Sequence, residues 1–278
     1  MKKIVTLVLV FAMVLSMAAC FTSCGENNTK SDWEKVQEQG YFRCGITLYA
    51  PMNYFDENDS LVGFDTEFAE AVAKYLGVEV KFQVINWPSK YLELNSGSID
   101  LIWNGFTYGD ESDGKSRTEY VDFTHAYLEN KQVVVTKASR LDELNSEAAL
   151  AGKKAAVEGG SSGEAVAIDF AGSEDKVAKF TAQSNALLEV KSGTADFAVI
   201  DYQMANAMVG KADYADLAIN EAFDLGSEVY AIGARKGSDL TAKINEAIVA
   251  LSKDGTLATI AAKYGLTNDL IPNIGDAE

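Results

Sequence analysis

One stretch of this sequence occurs twice, and the repeat limits the folds that the chain can adopt. Residues 91–103 read YLELNSGSIDLIW, and residues 187–199 read LLEVKSGTADFAV, 96 residues later. In each copy an apolar-periodic run ends at Ser-Gly, where glycine can adopt the left-handed conformation that ends a helix, and an apolar run of strand length follows. Each copy predicts a helix, a tight turn and a strand, so the repeat predicts two similar α/β lobes.

Polar residues follow the strand of each copy. Asn104, Gly105 and Thr107 come after the first strand, and Asp201 comes after the second. Ligands of open α/β sheets bind at the carboxyl ends of the strands. The sequence therefore predicts one cleft, shared by the two lobes, to which both strand ends contribute.

Two aromatic residues and one arginine are predicted at the same edge of the sheets. Tyr49 and Trp87 each lie just past a predicted strand, near a proline, and Arg117 follows a charged loop. Taken singly, the aromatic residues are as well explained by packing, Arg117 by a solvated loop charge, and Asp201 by the N-cap of the next helix. Together they offer a cation, an anion and aromatic faces, which are groups that can hold a zwitterion.

The composition excludes some classes of function. The net charge of −17 gives no counterion release on DNA or RNA, and no basic stripe with interleaved aromatic residues is found, so nucleic acid is excluded as a partner. Hydrophobic residues make up 47% and charged residues 23% of the chain, which are globular values and argue against a multi-span membrane protein. A length of 278 residues allows one large domain or two ordinary ones, and the repeat favours two.

The first residues read as a secretory signal. Two lysines precede an apolar run that ends in Ala-Ala-Cys, which predicts a signal peptide over residues 1–19. Because this ending resembles a bacterial lipobox, Cys20 is the predicted lipidation site, and Cys24 is the alternative. Residues 20–32 are mostly polar and predict a flexible tether. An uncleaved membrane anchor is the other interpretation of the apolar run.

Residue types that support catalysis or metal binding are few. His125, the single histidine, lies in a predicted loop or strand end and is interpreted as a surface or capping residue. Cys44 lies in an apolar stretch and predicts a small buried side chain. The Gly-Gly-Ser-Ser-Gly loop at residues 159–163 could hold an anion on its backbone N–H groups or be a plain turn. The sequence therefore predicts no catalytic residue, no metal site and no cofactor.

The lobe boundaries follow from the order of the predicted elements. Strand and helix patterns alternate as in a parallel sheet, and Asp65 is predicted to cap the helix that follows it. The pattern of the second lobe ends before the last two predicted helices, so the tail is assigned to the first lobe. This predicts lobe 1 over residues 33–129 and 230–278, lobe 2 over residues 130–229, and two crossings that form a two-stranded hinge.

The order and spacing of these segments resemble a known family. The segments are LVGFDTEFAEAVAKYLGVEV, SGSIDLIWNGFT, RTEYVDFT, the GGSSG loop, ADFAVID and KDGTLATIAAKYG, and the resemblance extends from Trp33 to Leu266. They are similar to the amino-acid-binding proteins of polar amino-acid ABC importers, the family 3 extracellular solute-binding proteins. The resemblance implies a type II periplasmic-binding-protein fold, in which a two-stranded hinge joins two lobes, each a mainly parallel sheet flanked by helices.

The resemblance also implies a role for each candidate site residue. Arg117 is expected to bind the α-carboxylate of the ligand, and Asp201 the α-ammonium. The other implied positions are Tyr49 and Trp87, which sandwich the ligand side chain, Asn104, Gly105 and Thr107 in the ligand segment of the first lobe, and Ser162, a hydroxyl of the second lobe. No catalytic role is implied for any of them.

Two departures from the family pattern affect these expectations. The loop between Thr107 and Arg117 is longer than usual, which bears on the reach of Arg117. The stretch at residues 45–49 has no aspartate of the kind that relatives use for cationic side chains. We therefore expect a polar or neutral amino acid as the ligand.

The resemblance implies partners and a location as well. The expected ligand is a free amino acid, the expected partner is a membrane permease with its ATPase, and the protein is expected to be a monomer. Its expected place is extracytoplasmic, on the outer face of the cell membrane through a lipid anchor, or in a periplasm. Two alternatives are an enzyme on the same scaffold, such as a cyclohexadienyl dehydratase with Glu158 as an extra acid, and a ligand-sensing module that reports to a separate receptor.

Overall fold

The computed structural model describes residues 30–112 and 114–275. The predicted signal peptide and both candidate lipidation sites, Cys20 and Cys24, lie outside the described residues. Within the described ranges, no helix is both long enough and apolar enough to cross a bilayer.

The secondary structure alternates between strands and helices, as the sequence predicts. The helices are α1 (Asp32–Gln39), α2 (Phe64–Leu76), α3 (Lys90–Ser96), α4 (Glu147–Leu150), α5 (Ser162–Ala171), α6 (Gln183–Ser192), α7 (Tyr202–Met208), α8 (Leu240–Lys253) and α9 (Thr256–Lys263). Short 3-10 turns lie at Trp87–Ser89, Arg117–Glu119, Ala138–Arg140, Glu174–Lys176 and Ala212–Tyr214.

In the part of the chain that the structure describes, the strands form two five-stranded sheets and three short pairs. Sheet 1 contains β1 (Tyr41–Ile46), β4 (Glu79–Val84), β5 (Leu101–Ile102), β8 (Val121–Phe123) and β16 (Gly233–Arg235). Sheet 2 contains β10 (Gln132–Lys137), β11 (Ala155–Glu158), β12 (Val177–Phe180), β13 (Phe197–Asp201) and β14 (Leu217–Ile219). The pairs are β2 (Tyr54–Phe55) with β3 (Leu61–Val62), β6 (Glu111–Ser112) with β7 (Lys115–Ser116), and β9 (Leu128–Asn130) with β15 (Glu228–Tyr230).

The two sheets have matching topologies. The strand order is β4-β1-β5-β16-β8 in sheet 1 and β12-β11-β13-β10-β14 in sheet 2. In sheet 1, β1 pairs in parallel with β4 and β5, and β16 is antiparallel to both of its neighbours. In sheet 2, β11 pairs in parallel with β12 and β13, and β10 is antiparallel to both of its neighbours. One reversed strand in each mainly parallel sheet makes two similar lobes, which we call lobe 1 and lobe 2 after their sheets.

The two lobes are joined by an antiparallel strand pair. Glu129 of β9 lies directly opposite Val229 of β15, and the pair continues at Leu128 opposite Tyr230. Both strands lead from one sheet toward the other, so this pair occupies the position at which the sequence predicts a hinge.

The two copies of the repeat end their helices in the same way. Gly97 after α3 and Gly193 after α6 are both left-handed, with φ of 79° and 82°. The hydroxyl of the preceding serine donates to the carbonyl oxygen of a glutamate three residues earlier, at 3.0 Å in each helix. The predicted helix, turn and strand are thus confirmed in both copies.

One predicted helix cap is wrong. Helix α2 begins at Phe64 after Gly63, and no side chain caps it. Asp65 lies inside the first turn and is fully buried. Its carboxylate accepts hydrogen bonds from the backbone N–H of Gly105 at 2.7 Å and from the hydroxyl of Tyr127 at 2.8 Å. The carboxylate therefore fastens the loop that follows β5 instead of capping α2.

The interior of lobe 1 is built on α2. Phe64, Phe68 and Val72 are completely buried, and α2 packs against α8 and α9 from the end of the chain. Burying each of these side chains stabilises the fold by roughly 1.5–3 kcal/mol. Cys44 is a buried free thiol in β1, as the sequence predicts.

Candidate functional site

A nearly closed cavity of about 10 Å³ lies between the two lobes, at the carboxyl ends of their parallel strands. Its lining residues are Trp87, Asn104, Gly105, Thr107, Arg117, Glu158, Ser161, Ser162, Gln183 and Asp201. Seven of the eight predicted site residues are among them. The eighth, Tyr49, lies behind the lining residue Gly105. Its hydroxyl lies against Gly105, in the space that a Cβ atom on that glycine would fill.

Two larger grooves, of about 540 and 570 Å³, lie beside the strand pair β9–β15. Both include Glu129, Gly226 and Ser227 in their walls. We assign the site to the smaller cavity, because it brings buried charges of opposite sign together and receives residues from both lobes.

Arg117 is the buried cation of the cavity. Its side chain is 1% exposed, and its guanidinium carbon lies 5.0 Å from the ring centroid of Phe106. One terminal nitrogen donates to the carbonyl oxygen of Thr107 at 3.1 Å and the other to that of Gly160 at 3.2 Å. Its Nε has no hydrogen-bond partner. Among the described residues, no carboxylate lies within salt-bridge distance of this guanidinium, so it can still form the bidentate pair that a carboxylate offers.

The N-terminus of α5 faces the same space. Ser161 precedes the helix, Ser162 is its first residue, and both line the cavity. The N-terminus of a helix carries partial positive charge and unpaired backbone N–H groups, which favour an anion. Arg117 of lobe 1 and the N-terminus of α5 in lobe 2 therefore both present positive charge to the cavity.

The loop after β5 is rigidly held. Asn104 uses its whole side-chain amide: Oδ1 accepts from the backbone N–H and the hydroxyl of Thr47, and Nδ2 donates to Asn53 and to the carbonyl oxygen of Thr47. The Asn104 side chain is thus committed to the fold of lobe 1. Gly105 has φ of 52°, and a Cβ atom there would lie 2.0 Å from the Tyr49 hydroxyl, so only glycine fits.

Asp201 is the central anion of the cavity. It ends β13 at 4% exposure, and three amide side chains donate to its carboxylate: Asn130 at 3.1 Å, Gln132 at 2.5 Å and Gln183 at 2.5 Å. Burial raises the pKa of Asp201, while the amide hydrogen bonds and the charge of Arg117 act in the opposite direction. Asp201 stands at the N-cap position of α7, as predicted, but its side chain does not cap that helix.

A second carboxylate shares the amides of Asp201. Glu228, at the start of β15, accepts from Asn130 at 2.5 Å and from Gln132 at 3.0 Å, and also from the hydroxyl of Thr107 at 3.0 Å. Burial, together with the negative charge of Asp201, raises the pKa of Glu228 to about 7. The junction of the two lobes therefore holds two carboxylates around one set of amides.

A third carboxylate ends β11. Glu158 is 2% exposed and lines the cavity, and its Oε1 has no hydrogen-bond partner. Burial and then the charge of Asp201 raise its pKa well above the ordinary value, whereas Lys90 and Arg117 oppose the shift. Asp201 and Glu158 thus place two buried acids in the cavity, and a bound positive charge would favour their ionised forms.

The lobes contact each other at the rim of this cavity. The carbonyl oxygen of Gly160 in lobe 2 accepts from Lys90 at 3.0 Å as well as from Arg117, and both donors belong to lobe 1. The backbone N–H of Trp87 donates to the carbonyl oxygen of Thr181 at 3.4 Å. The described residues therefore show the two lobes closed against each other.

Comparison with known proteins decides the family. A model of the bacterial extracellular solute-binding proteins, family 3, matches residues 42–267. The chain belongs to this family.

Several relatives match this solute-binding protein over most of its length. The L-cystine-binding protein TcyA of Bacillus subtilis is 29% identical over 275 residues, covering 95% of this chain and 97% of that protein. A substrate-binding protein of an ABC uptake transporter from Streptococcus pneumoniae, solved with bound histidine, superposes with a TM-score of 0.74 at 31% identity, covering 85% and 97%. The ancestral amino-acid-binding protein AncCDT-1, a precursor of cyclohexadienyl dehydratase, superposes with a TM-score of 0.72 at 28% identity, covering 84% and 99%. The predicted family and the two-lobed α/β fold are confirmed.

Some residues of the cavity in this solute-binding protein were missed as site residues by the sequence reasoning. Gln183 is one, although the repeat could have found it: residue 183 lies 96 positions after Trp87, and both line the cavity. Ser161 is another, next to the predicted Ser162. Glu158 was considered only as the acid of the alternative enzyme, and its place at the end of a predicted strand was the available signal. His125 is not among the cavity residues, and its backbone N–H donates to Asn245.

Proposed function

We propose that this protein captures a free amino acid between its two lobes and delivers it to the membrane permease of an ABC importer. The observation that carries the proposal is that Arg117 of lobe 1 and Asp201 of lobe 2 line one buried cavity. A guanidinium without a carboxylate partner suits the α-carboxylate of the ligand, and a buried carboxylate suits its α-ammonium.

The remaining site residues have supporting roles in this proposal. Ser162 and the N-terminus of α5 assist Arg117 at the α-carboxylate, and Trp87 packs against the ligand side chain, where its ring is held edge-on to Phe106 with centroids 5.5 Å apart. Thr107 and Gly105 form the wall, and Asn104 and Tyr49 hold that wall in place.

Closure is the step that couples binding to delivery. We assign lobe 1 to residues 33–129 and 230–278 and lobe 2 to residues 130–229, with the strand pair β9–β15 as the hinge. A zwitterion between Arg117 and Asp201 interacts with both lobes only when they are closed, so binding shifts the equilibrium toward the closed form. The permease, with its ATPase, then recognises the closed monomer.

Relatives support an amino acid as the ligand. The proteins compared above are named as binders of cystine, of histidine and of amino acids. The ligand charges that these compounds share are the α-carboxylate and the α-ammonium, and the cavity offers groups of the opposite charge for both.

Catalysis is the second candidate, because AncCDT-1 is described as a precursor of an enzyme and because Glu158 is a buried acid with a raised pKa. We favour binding, since the relatives in the comparison are binding proteins and two of the charges near Glu158, those of Arg117 and Asp201, have roles in holding a zwitterion. Turnover of prephenate-like acids by the purified protein would overturn this choice.

The location proposed for this protein is the outer face of the cell membrane, through a lipid on Cys20 or, alternatively, Cys24. Membership of an extracellular family supports the extracytoplasmic side. Mass spectrometry of the protein from cells that express Cys20→Ser or Cys24→Ser tests the anchor. We expect the lipid to be lost from the Cys20→Ser variant, and an unmodified wild-type protein would exclude a lipid anchor.

A thermal-shift screen of the twenty amino acids and cystine tests the central proposal. A ligand that binds only the folded state must raise the melting temperature. When the ligand concentration is a hundred times Kd, the free energy of unfolding increases by about 2.7 kcal/mol. We expect at least one of these compounds to do so. A screen in which none raises the melting temperature, repeated with protein refolded to remove carried-over ligand, would contradict the proposed function.

A further inference from the structure

The end of β11 places a carboxylate in the cavity for which the proposed binding of a zwitterion has no use. In that scheme Arg117 takes the α-carboxylate and Asp201 the α-ammonium, and Glu158 remains. We propose that Glu158 binds a positively charged N–H group at the far end of the ligand's side chain. The inference rests on the proposed function and narrows its ligand to amino acids that carry a second cationic group.

The topology of sheet 2 puts Glu158 farther from the hinge than Asp201. The hinge strand β9 leads into β10, which pairs with β13, and β13 pairs with β11. Asp201 ends β13 and Glu158 ends β11, so the two carboxylates stand on neighbouring strands, which are about 4.8 Å apart in a sheet. An amino-acid head group at Asp201 therefore directs a side chain across the end of the next strand, where Glu158 lies.

The neighbours of Glu158 lie at the part of the cavity that is proposed to hold the side chain of the ligand. Gly159 follows Glu158, and a Cβ atom there would lie 3.3 Å from the ring of Pro88, next to Trp87. Trp87 is the residue proposed to pack against the ligand side chain. Glu158 thus faces the part of the cavity that the ligand side chain would occupy.

The free acceptor on Glu158 separates it from the other carboxylates. Each oxygen of Asp201 accepts from at least one amide, and Glu228 accepts from two amides and a hydroxyl. The Oε1 atom of Glu158 is buried and accepts no hydrogen bond. Leaving such a buried acceptor unsatisfied is costly, and more so when the group is charged. A donor on the ligand would remove that cost.

The surrounding charges favour a cationic donor over a neutral one. Glu158 faces the carboxylate of Asp201 and the cations Arg117 and Lys90. In the complex, Arg117 is paired with the ligand α-carboxylate, and the Lys90 ammonium donates to the carbonyl oxygens of Trp87 and Gly160. A neutral amide would satisfy Oε1 only, whereas an ammonium, guanidinium or imidazolium would also favour the ionised form of Glu158 against the burial and the charge of Asp201 that raise its pKa.

This inference differs from the expectation drawn from the sequence. The stretch at residues 45–49 has no acid, and for that reason a neutral ligand was expected. The proposal assigns the acid to lobe 2 instead of lobe 1.

Matched ligands with and without the distal charge test the proposal. Calorimetry of the full mature chain would compare L-arginine with L-citrulline and L-lysine with L-norleucine, for the wild type and for Glu158→Gln. We expect the wild type to bind the cationic member of at least one pair about tenfold more tightly or better, which corresponds to about 1.4 kcal/mol. In Glu158→Gln that preference should fall to about threefold or less, with affinity for the neutral member changed little.

A control variant and four outcomes make the test decisive. Glu174→Gln removes a carboxylate from an exposed site of the same lobe, where Glu174 pairs with Lys179, and should keep the full preference. The proposal is overturned if the wild type prefers the neutral member of each pair, or if Glu158→Gln keeps the preference. If neutral amino acids bind but no cationic one does, this inference fails alone; if no amino acid binds at all, the proposed function fails with it.

Discussion

Replacing Arg117 with alanine is expected to weaken amino-acid binding by about thirtyfold or more. The substitution leaves the ligand carboxylate buried without its charged partner, and an unsatisfied charged group costs about 2 kcal/mol or more. The effect should appear in the dissociation constant of the ligand that the thermal-shift screen identifies, measured by calorimetry. Because the guanidinium also donates to the carbonyl oxygens of Thr107 and Gly160, some loss of contact between the lobes should accompany it.

A second arginine of the chain provides the control for this variant. Arg140 lies in lobe 2, pairs with Glu143 and Asp196, and is not a cavity residue. Arg140→Ala should therefore keep the affinity within about threefold of the wild type, since the binding energy is unaffected. An Arg117→Ala protein that is folded and binds its ligand as tightly as the Arg140→Ala control would exclude Arg117 from carboxylate recognition.

Because of Asp65, we expect the free energy of unfolding to fall as the pH rises from about 4 to about 7. Burial raises the pKa of this carboxyl to about 7, above the value of about 3.9 in the unfolded chain. Between these values the folded state binds more protons than the unfolded state, so each step upward in pH favours unfolding. The full difference corresponds to about 4 kcal/mol, which is a large fraction of the stability of a typical domain.

The Asp65→Asn variant isolates this contribution. Its amide oxygen can still accept from the Gly105 N–H, and its NH2 group can donate to the Tyr127 oxygen, which reverses the hydrogen bond that Asp65 accepts from Tyr127. We expect urea unfolding to give similar stabilities for the variant and the wild type near pH 4, and a more stable variant near pH 8. Taking the difference between the two proteins removes the parallel pH dependence that the raised pKa of Glu228 adds.

An exposed aspartate should show the opposite sign. Backbone N–H groups of Ser60 and Asn58 lower the pKa of Asp56, so its ionised form stabilises the folded state and that contribution is lost as the pH falls. Asp56→Asn should be less stable than the wild type near pH 8. If the difference between Asp65→Asn and the wild type does not change with pH, the buried carboxyl of Asp65 does not titrate as described.

The fold could be predicted to the level of lobes because its signals are local. The Ser-Gly ends of α3 and α6 act through residues next to them in sequence, so the helix, turn and strand of each copy were predictable. The side chain of Asp65 could not be placed in this way. Its partners, Gly105 and Tyr127, are 40 and 62 residues away, and nothing local distinguishes a capping aspartate from one turned inward.

The site was predictable where position alone identifies a residue. Trp87, Thr107 and Asp201 follow strands whose carboxyl ends meet at one edge, and the structure places them in one cavity. Their roles toward a ligand remain predictions. Position alone predicted that Asn104 lies at the cavity. It did not predict the hydrogen bonds of the Asn104 side-chain amide, which go to Thr47 and Asn53 of lobe 1.

The electrostatics of the cavity could not be predicted from the sequence. Glu158 and Glu228 acquire raised pKa values only because burial and Asp201 act on them together. Glu228 is 27 residues from Asp201 in sequence, and the amides that connect the two belong to β9 and β10. Such a cluster depends on how strands from distant parts of the chain meet.

The place of β16 within sheet 1 bears on the order in which the chain can fold. This strand lies between β5 and β8, yet its residues are synthesised after every strand of sheet 2. A chain emerging from its N-terminus therefore carries a first sheet with a gap in its middle until residue 235 is available. Lobe 2, whose five strands all lie between residues 132 and 219, can assemble from one continuous segment during that interval. Early strands with unpaired edges are prone to aggregation, so lobe 1 is the part of this protein that most needs protection before its synthesis is complete.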